Sequence, residues 1–313
     1  MTKRLPNLAV MLAMSMLLGN AMYNYAEAAE PTLSEIIHDA RYPRKKVEFH
    51  PPSNPQFETL RVAAKNIEKY GDACDPEAAR RINDVLKPAA MELLTITRGK
   101  TTFWIIREKA PVFRGGGIYI RRCGAQTVPL VLQAPHGYFD LHTGRLARQL
   151  FRDTGARWVM LNSLQRYKSR KGETPADAYH PADAAHNNRL FFQAVTKGIL
   201  EASPTLLFAQ LHGYEERGHD EDVILSDGRR SPQIWSNMLK KAWNPKGMQV
   251  VVYGASGKGL GGTTNVQGNL INAAEGRFIH IEMAKPVRET MKKVDRIRKA
   301  FGQALVDVAR RSK

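Results

Sequence analysis

The chain has 313 residues, 43% hydrophobic, 8% aromatic and 25% charged, a balance that excludes intrinsic disorder and fits one large domain or two small ones. Two cysteines are too few for a disulfide scaffold, and the single long apolar run, at the N-terminus, excludes a polytopic membrane protein. Lys and Arg number 47 against 30 Asp and Glu, and the resulting net charge of +17 favours anionic partners.

Residues 1–28 read as a secretory signal. Lys3 and Arg4 form a basic head, residues 8–18 are almost wholly Leu, Ala, Met and Val, and Ala26-Glu27-Ala28 offers a small-x-small cleavage site, with Gly19-Asn20-Ala21 as an alternative. The apolar core is shorter than the ~20 residues of a spanning helix, so no integral span is expected after signal removal, and the folded part is expected to be secreted or periplasmic. Cleavage after Ala28 removes Lys3, Arg4 and Glu27 and leaves a charge of +16. For an exported protein of this charge the expected partner is an anionic small molecule, peptide or cell-envelope polymer. No module of interleaved basic and aromatic residues points to nucleic acid.

Residues 29–59, rich in proline and charge, read as an extended lead-in to a catalytic domain over 60–313. Helical spacing covers 58–70 and 76–86, and β-branched and aromatic residues mark strands at 101–108 and 117–122. Cys74 and Cys123, in an oxidising compartment, are expected to pair. From residue 127 short apolar strands (128–134, 157–161, 206–211, 248–253, 278–281) alternate with helical segments (143–152, 184–200, 231–243, 288–311). This pattern predicts an α/β fold, a mixed, mostly parallel sheet flanked by helices on both faces.

The chemistry gathers where three of those strands end. The run 128–135 enters His136-Gly137-Tyr138-Phe139-Asp140, 206–211 enters His212-Gly213-Tyr214, and 278–281 enters Glu282. Ligands of open α/β sheets bind beyond the carboxyl ends of strands. A catalytic zinc takes three ligands from His, Asp and Glu, while a separate carboxylate serves as base. His136, Asp140 and His212 are therefore read as zinc ligands and Glu282 as general base and later acid.

Ala134-Pro135-His136-Gly137, Asp140, Thr143 and Gln210-Leu211-His212-Gly213 resemble the zinc carboxypeptidase-like superfamily, within it the poly-γ-glutamate hydrolases and N-formylglutamate amidohydrolases. So do Thr263-Thr264-Asn265-Val266-Gln267-Gly268 and Ile279-His280-Ile281-Glu282-Met283 with Arg288. The resemblance spans about residues 128–290 and implies an amide hydrolase with one zinc. It also implies that Asn188 and Arg189, near a helix start, grip a substrate carboxylate; an ordinary helix-surface arginine is the competing reading. The family's HxxE spacing is missing, because Asp140 lies four positions after His136, and His142 remains a rival third ligand. His180 and His186 read as solvent-exposed, and Arg145 as a weaker cleft candidate.

The segment Gly254-Ala255-Ser256-Gly257-Lys258-Gly259-Leu260-Gly261-Gly262 contains a GxGxxG match, but glycine follows Lys258 where a phosphate loop needs Ser or Thr. Thr263-Thr264-Asn265 is read as continuing the loop instead of opening a helix. The segment is expected to cover the active site, with Asn265 meeting an anionic or amide group of the substrate. The sequence thus predicts an exported zinc-dependent amide hydrolase for an N-acyl amino acid, γ-glutamyl or peptidoglycan peptide. A non-catalytic periplasmic binding protein for an anionic envelope polymer is the alternative.

Overall fold

Helix α1 (Asn54–Tyr70) is the first described helix and starts on a capping box, in which Ser53 and Gln56 each accept the other's backbone N–H. The computed structural model describes residues 49–167, 180–215, 220–254 and 259–311. The expected signal segment, most of the lead-in and Ala255-Ser256-Gly257-Lys258 of the glycine-rich loop lie outside the described residues. Leu60, Ala63, Ala64 and Ile67, at helical spacing, bury one face of α1. Helix α2 (Pro76–Leu86) follows, capped by the Asp75 carboxylate on the N–H groups of Glu77 and Ala78.

Among the described residues nine strands form one sheet. In chain order they are β1 (Met91–Arg98), β2 (Thr101–Glu108), β3 (Ile118–Arg122), β4 (Val128–Ala134), β5 (Ala156–Leu161), β6 (Leu207–Tyr214), β7 (Val223–Ser226), β8 (Val250–Val252) and β9 (Arg277–Ala284). Their spatial order is β1-β2-β3-β5-β4-β6-β9-β7-β8. The central four, β5, β4, β6 and β9, are mutually parallel. The antiparallel meander β1–β3 extends one side, and β7, antiparallel to β9, carries the parallel β8 on the other. The α/β fold with a mixed sheet is as the sequence predicts.

Helix α3 (Thr143–Thr154) links β4 to β5 on one side, and α4 (Phe191–Ala202) carries the chain back across to β6 on the other side of β4. The order reverses there, so β4 and β6 flank a topological switch point, where an open sheet leaves a crevice beyond its carboxyl ends. Alternation along β6 and β9 puts Phe208, Gln210 and His212, with Phe278, His280 and Glu282, on one face. Phe208 and Phe278 belong to the apolar core shared with α1, α2 and α4. Towards the crevice the same face turns polar.

Helices α5 (Ile234–Ala242), α6 (Val266–Ala273), α7 (Lys285–Lys293) and α8 (Asp295–Ala309) complete the fold, and α8 packs on β4 and β6 beside α3. Far from a mere surface charge, Glu68 of α1 is a buried hub. It accepts from Arg157 Nη1 (2.8 Å), Trp158 Nε1 (2.7 Å) and Ser203 Oγ (2.8 Å) and pairs with Arg121, tying α1 to β3, β5 and the end of α4. Cys74 and Cys123 form the expected disulfide between the α1–α2 turn and the end of β3.

Four expectations about elements change. The sequence reading missed β1, β7 and α6; the helix expected from residue 184 begins at Phe191; and the helix expected over 288–311 is two, parted at an extended Val294. Asn265 does not continue a loop: its carboxamide oxygen caps α6 by accepting from Gly268 N (2.9 Å).

Candidate metal centre

The turn after β4 brings the first two candidate ligands together. Asp140 N–H donates to His136 O (2.8 Å), closing one helical turn, so residues i and i+4 lie one above the other. This supplies what the missing HxxE spacing left in question. Thr143 fixes the far end of the turn, its N–H and hydroxyl both donating to Asp140 O (3.1 and 2.8 Å). His212 arrives from β6, and Gly213 N–H donates to Asp140 Oδ2 (3.1 Å).

Asp140 Oδ2 lies 3.5 Å from His136 Nδ1 and 3.4 Å from His212 Nδ1. Bonds of about 2.0–2.2 Å at tetrahedral angles separate neighbouring donor atoms by about 3.3–3.6 Å, which these distances match. All three residues are buried, and their donor atoms lie within 4.8 Å of one another. Each imidazole is also fixed from behind. His136 Nε2 donates to Asp183 Oδ1 (2.7 Å) and His212 Nε2 to Gln210 Oε1 (2.7 Å), which turns both Nδ1 atoms towards Asp140 Oδ2. The Gln210 amide in turn donates to Gln133 and Gln267, so His212 is anchored in a buried ladder of amides.

Electrostatics fit a cation. Burial opposes charge on His136, but its bonds to Asp140 and Asp183 outweigh burial and raise its pKa to about 9. Asp140 is held well below the usual carboxylate range, against burial, by His136 and His212; Asp183 is held low in the same way by His136 and His186. Burial and the neighbouring His280 lower His212 to about 4, so its lone pair stays available. The donor set, two imidazole nitrogens and a carboxylate oxygen, suits a divalent metal.

No family model and no curated protein matches the chain. Solved structures do. It is similar to an N-formylglutamate amidohydrolase from Ralstonia eutropha JMP134, with 13% identity over 59% of this chain and 92% of that one and a TM-score of 0.36. It is similar to gene product Atu2144 from Agrobacterium tumefaciens (12% identity, 57% and 91% covered, TM-score 0.38) and to a candidate carboxypeptidase A from Shewanella denitrificans OS-217 (11%, 70% and 62%, 0.33). At such distance the functional reading rests on the site itself.

Glu282 is the register partner of His212 and joins the cluster from β9, its Oε1 3.1 Å from His280 Nε2. Of the expected substrate contacts, two are exposed and one is buried. Asn188 and Arg189 are exposed in the turn before α4, where Arg189 N–H donates to Asn187 Oδ1 (2.9 Å). Asn265 is buried with both polar ends engaged, one on the α6 cap and the other donating to Gln210 Oε1. His142, the rival ligand, has a left-handed backbone that turns it away from the cluster, and its Nε2 lies 3.3 Å from Lys292 Nζ. Arg145 is exposed, whereas His186, expected in solvent, is half-buried with Nδ1 3.1 Å from Asp183 Oδ2.

Three residues without a sequence-assigned role complete the surroundings. Asp183 holds His136 and also accepts from Arg166 Nη2; its signal was a lone carboxylate in the small apolar run Ala182-Asp183-Ala184-Ala185. Arg166 Nη1 lies 3.5 Å from His136 Nδ1, and its guanidinium sits over the exposed rings of Phe139 and Tyr167. Arg288 of α7 is buried and donates to Leu141 O and Tyr214 O (3.0 Å each), clamping the Asp140 loop to β6. Burial lowers its pKa, while Asp140 and Glu282 act in the opposite sense.

Proposed function

We propose that the protein is an exported, zinc-dependent amide hydrolase for a carboxylate-bearing substrate such as an N-acyl amino acid, a γ-glutamyl peptide or a peptidoglycan stem peptide. The observation that carries this is the donor set His136 Nδ1, Asp140 Oδ2 and His212 Nδ1, with both far imidazole nitrogens tied back and Glu282 alongside. A bound zinc supplies Lewis-acid chemistry, polarising the scissile carbonyl and making a water more acidic. Glu282 takes the proton of the attacking water on a carboxylate oxygen and returns it to the leaving amine. Arg166, whose guanidinium is tethered by Asp183 and faces the cluster, takes the role first given to Arg189, meeting negative charge on the substrate. The disulfide and the basic charge agree with export and with an anionic substrate.

The test is metal content by element mass spectrometry, for the wild type beside a His136→Ala/His212→Ala variant. About one zinc per chain, absent from the variant, is expected from the one donor set among the described residues. Glu282→Gln is expected to retain metal and lose at least about 10²-fold in turnover on the acidic peptides and N-acyl amino acids that the wild type cleaves. A wild type that takes up no metal after reconstitution would instead favour a non-catalytic binding protein for anionic envelope polymer.

A further inference from the structure

His280 occupies a strand position where an aliphatic side chain would pack, between Phe278 in the core and Glu282 at the cluster. Its ring is buried, tilted by 34° against the His212 imidazole with centroids 4.3 Å apart, and its Nε2 donates to Glu282 Oε1. Nδ1 has no hydrogen-bond partner among the described residues. The other ring face is closed by Gly262, where a Cβ would come within 2.7 Å of the imidazole and the backbone φ is +60°. Ser226, beside His280 in the register, holds this loop by donating to Gly261 O (2.7 Å). An imidazole confined in this way, with one nitrogen buried and unpaired, is explained by the bond that its other nitrogen makes.

A glutamate beside a ligand histidine has two possible fates. It can remain a base, or its flexible side chain can turn onto the cation as a further ligand. We infer that His280 is a positioning residue that holds Glu282 off the cation, fixing Oε1 and leaving Oε2 as the proton acceptor. This deepens the proposed function and rests on it. A partner that merely supports a metal site strengthens metal binding, and its loss weakens it; here removal of His280 releases a competing ligand, so the effect has a distinct signature.

The experiment measures cobalt(II) affinity by chelator competition on the full mature chain, for wild type, Glu282→Gln, His280→Leu and the His280→Leu/Glu282→Gln double variant, with His280→Gln as the conservative control. In the wild-type background Glu282→Gln is expected to change affinity by less than about twofold. In the His280→Leu background it is expected to lower affinity by about tenfold, because only there does Glu282 bind the ion. His280→Gln, whose amide N–H can reach Oε1, should behave as the wild type. An equal effect of Glu282→Gln in both backgrounds, or a His280→Gln variant matching His280→Leu, overturns the inference while leaving the hydrolase reading in place. A wild type that binds no cobalt removes both.

Discussion

Asp183 shows how one side chain can set a site without touching the reacting atoms. One oxygen receives His136 Nε2 and the Ala185 N–H, and the other receives Arg166 and faces His186. Asp183→Asn keeps the shape but loses an acceptor and a charge, and metal affinity is expected to fall by about 10- to 100-fold, as chelator competition would register. The His136 pKa adds a pH dependence. It is raised from 6.5 to about 9 in the metal-free fold, so folding binds a proton between those values. The stability this contributes is fully present below about 6.5 and is lost as pH rises through about 9. The melting temperature of metal-free protein is therefore expected to decline across that window, and to decline less in His136→Gln. Metal uptake at pH 7 is expected to displace about one proton per chain, readable by calorimetry in buffers of different ionisation enthalpy.

Among the elements, the join of β6 to α7 is the most tightly built. Gly213 leaves room for Arg288, since a Cβ there would come within 2.0 Å of Nη1, and its N–H holds Asp140. Gly213→Ala is expected to displace the guanidinium, cost about 1–3 kcal/mol in a melt, and weaken metal binding through Asp140. Elements with strong periodicity or caps were legible: α1, α2 and β4 lie close to their expected spans. β7 was not, because four residues between acidic groups give no measurable alternation. The α7–α8 break was hidden because Met291, Arg298 and Leu305 keep one heptad phase across the extended Val294, so the buried stripe alone cannot show a change of direction. In β1 the run Met91-Glu92-Leu93-Leu94 suits a helix as well as a strand, and pairing with β2 decides it.

The disulfide fastens the α1–α2 turn to the end of β3, a strand of the antiparallel meander. Its cysteines are 49 residues apart, and closing such a loop restricts the unfolded chain by about 4 kcal/mol in the chain-entropy estimate. Cys74→Ser/Cys123→Ser is expected to melt well below the wild type yet bind the same amount of metal, which thermal scans with and without zinc would show. No described helix is long and apolar enough to cross a membrane.

What the sequence determined by itself was local or additive: charge, the paired cysteines, the alternation of apolar strands with helices, and histidines and carboxylates at strand ends. His136, Asp140, His212 and Glu282 were legible as candidates because a strand end is visible as a change from apolar to polar residues. Only the tertiary structure decided which groups meet. The β4–α3 turn selected Asp140 over His142, the crossing to β6 brought in His212, and the turn before α4 buried Asp183 while leaving Arg189 in solvent. Burial and partner choice depend on contacts between residues far apart in the chain, and no local pattern encodes them.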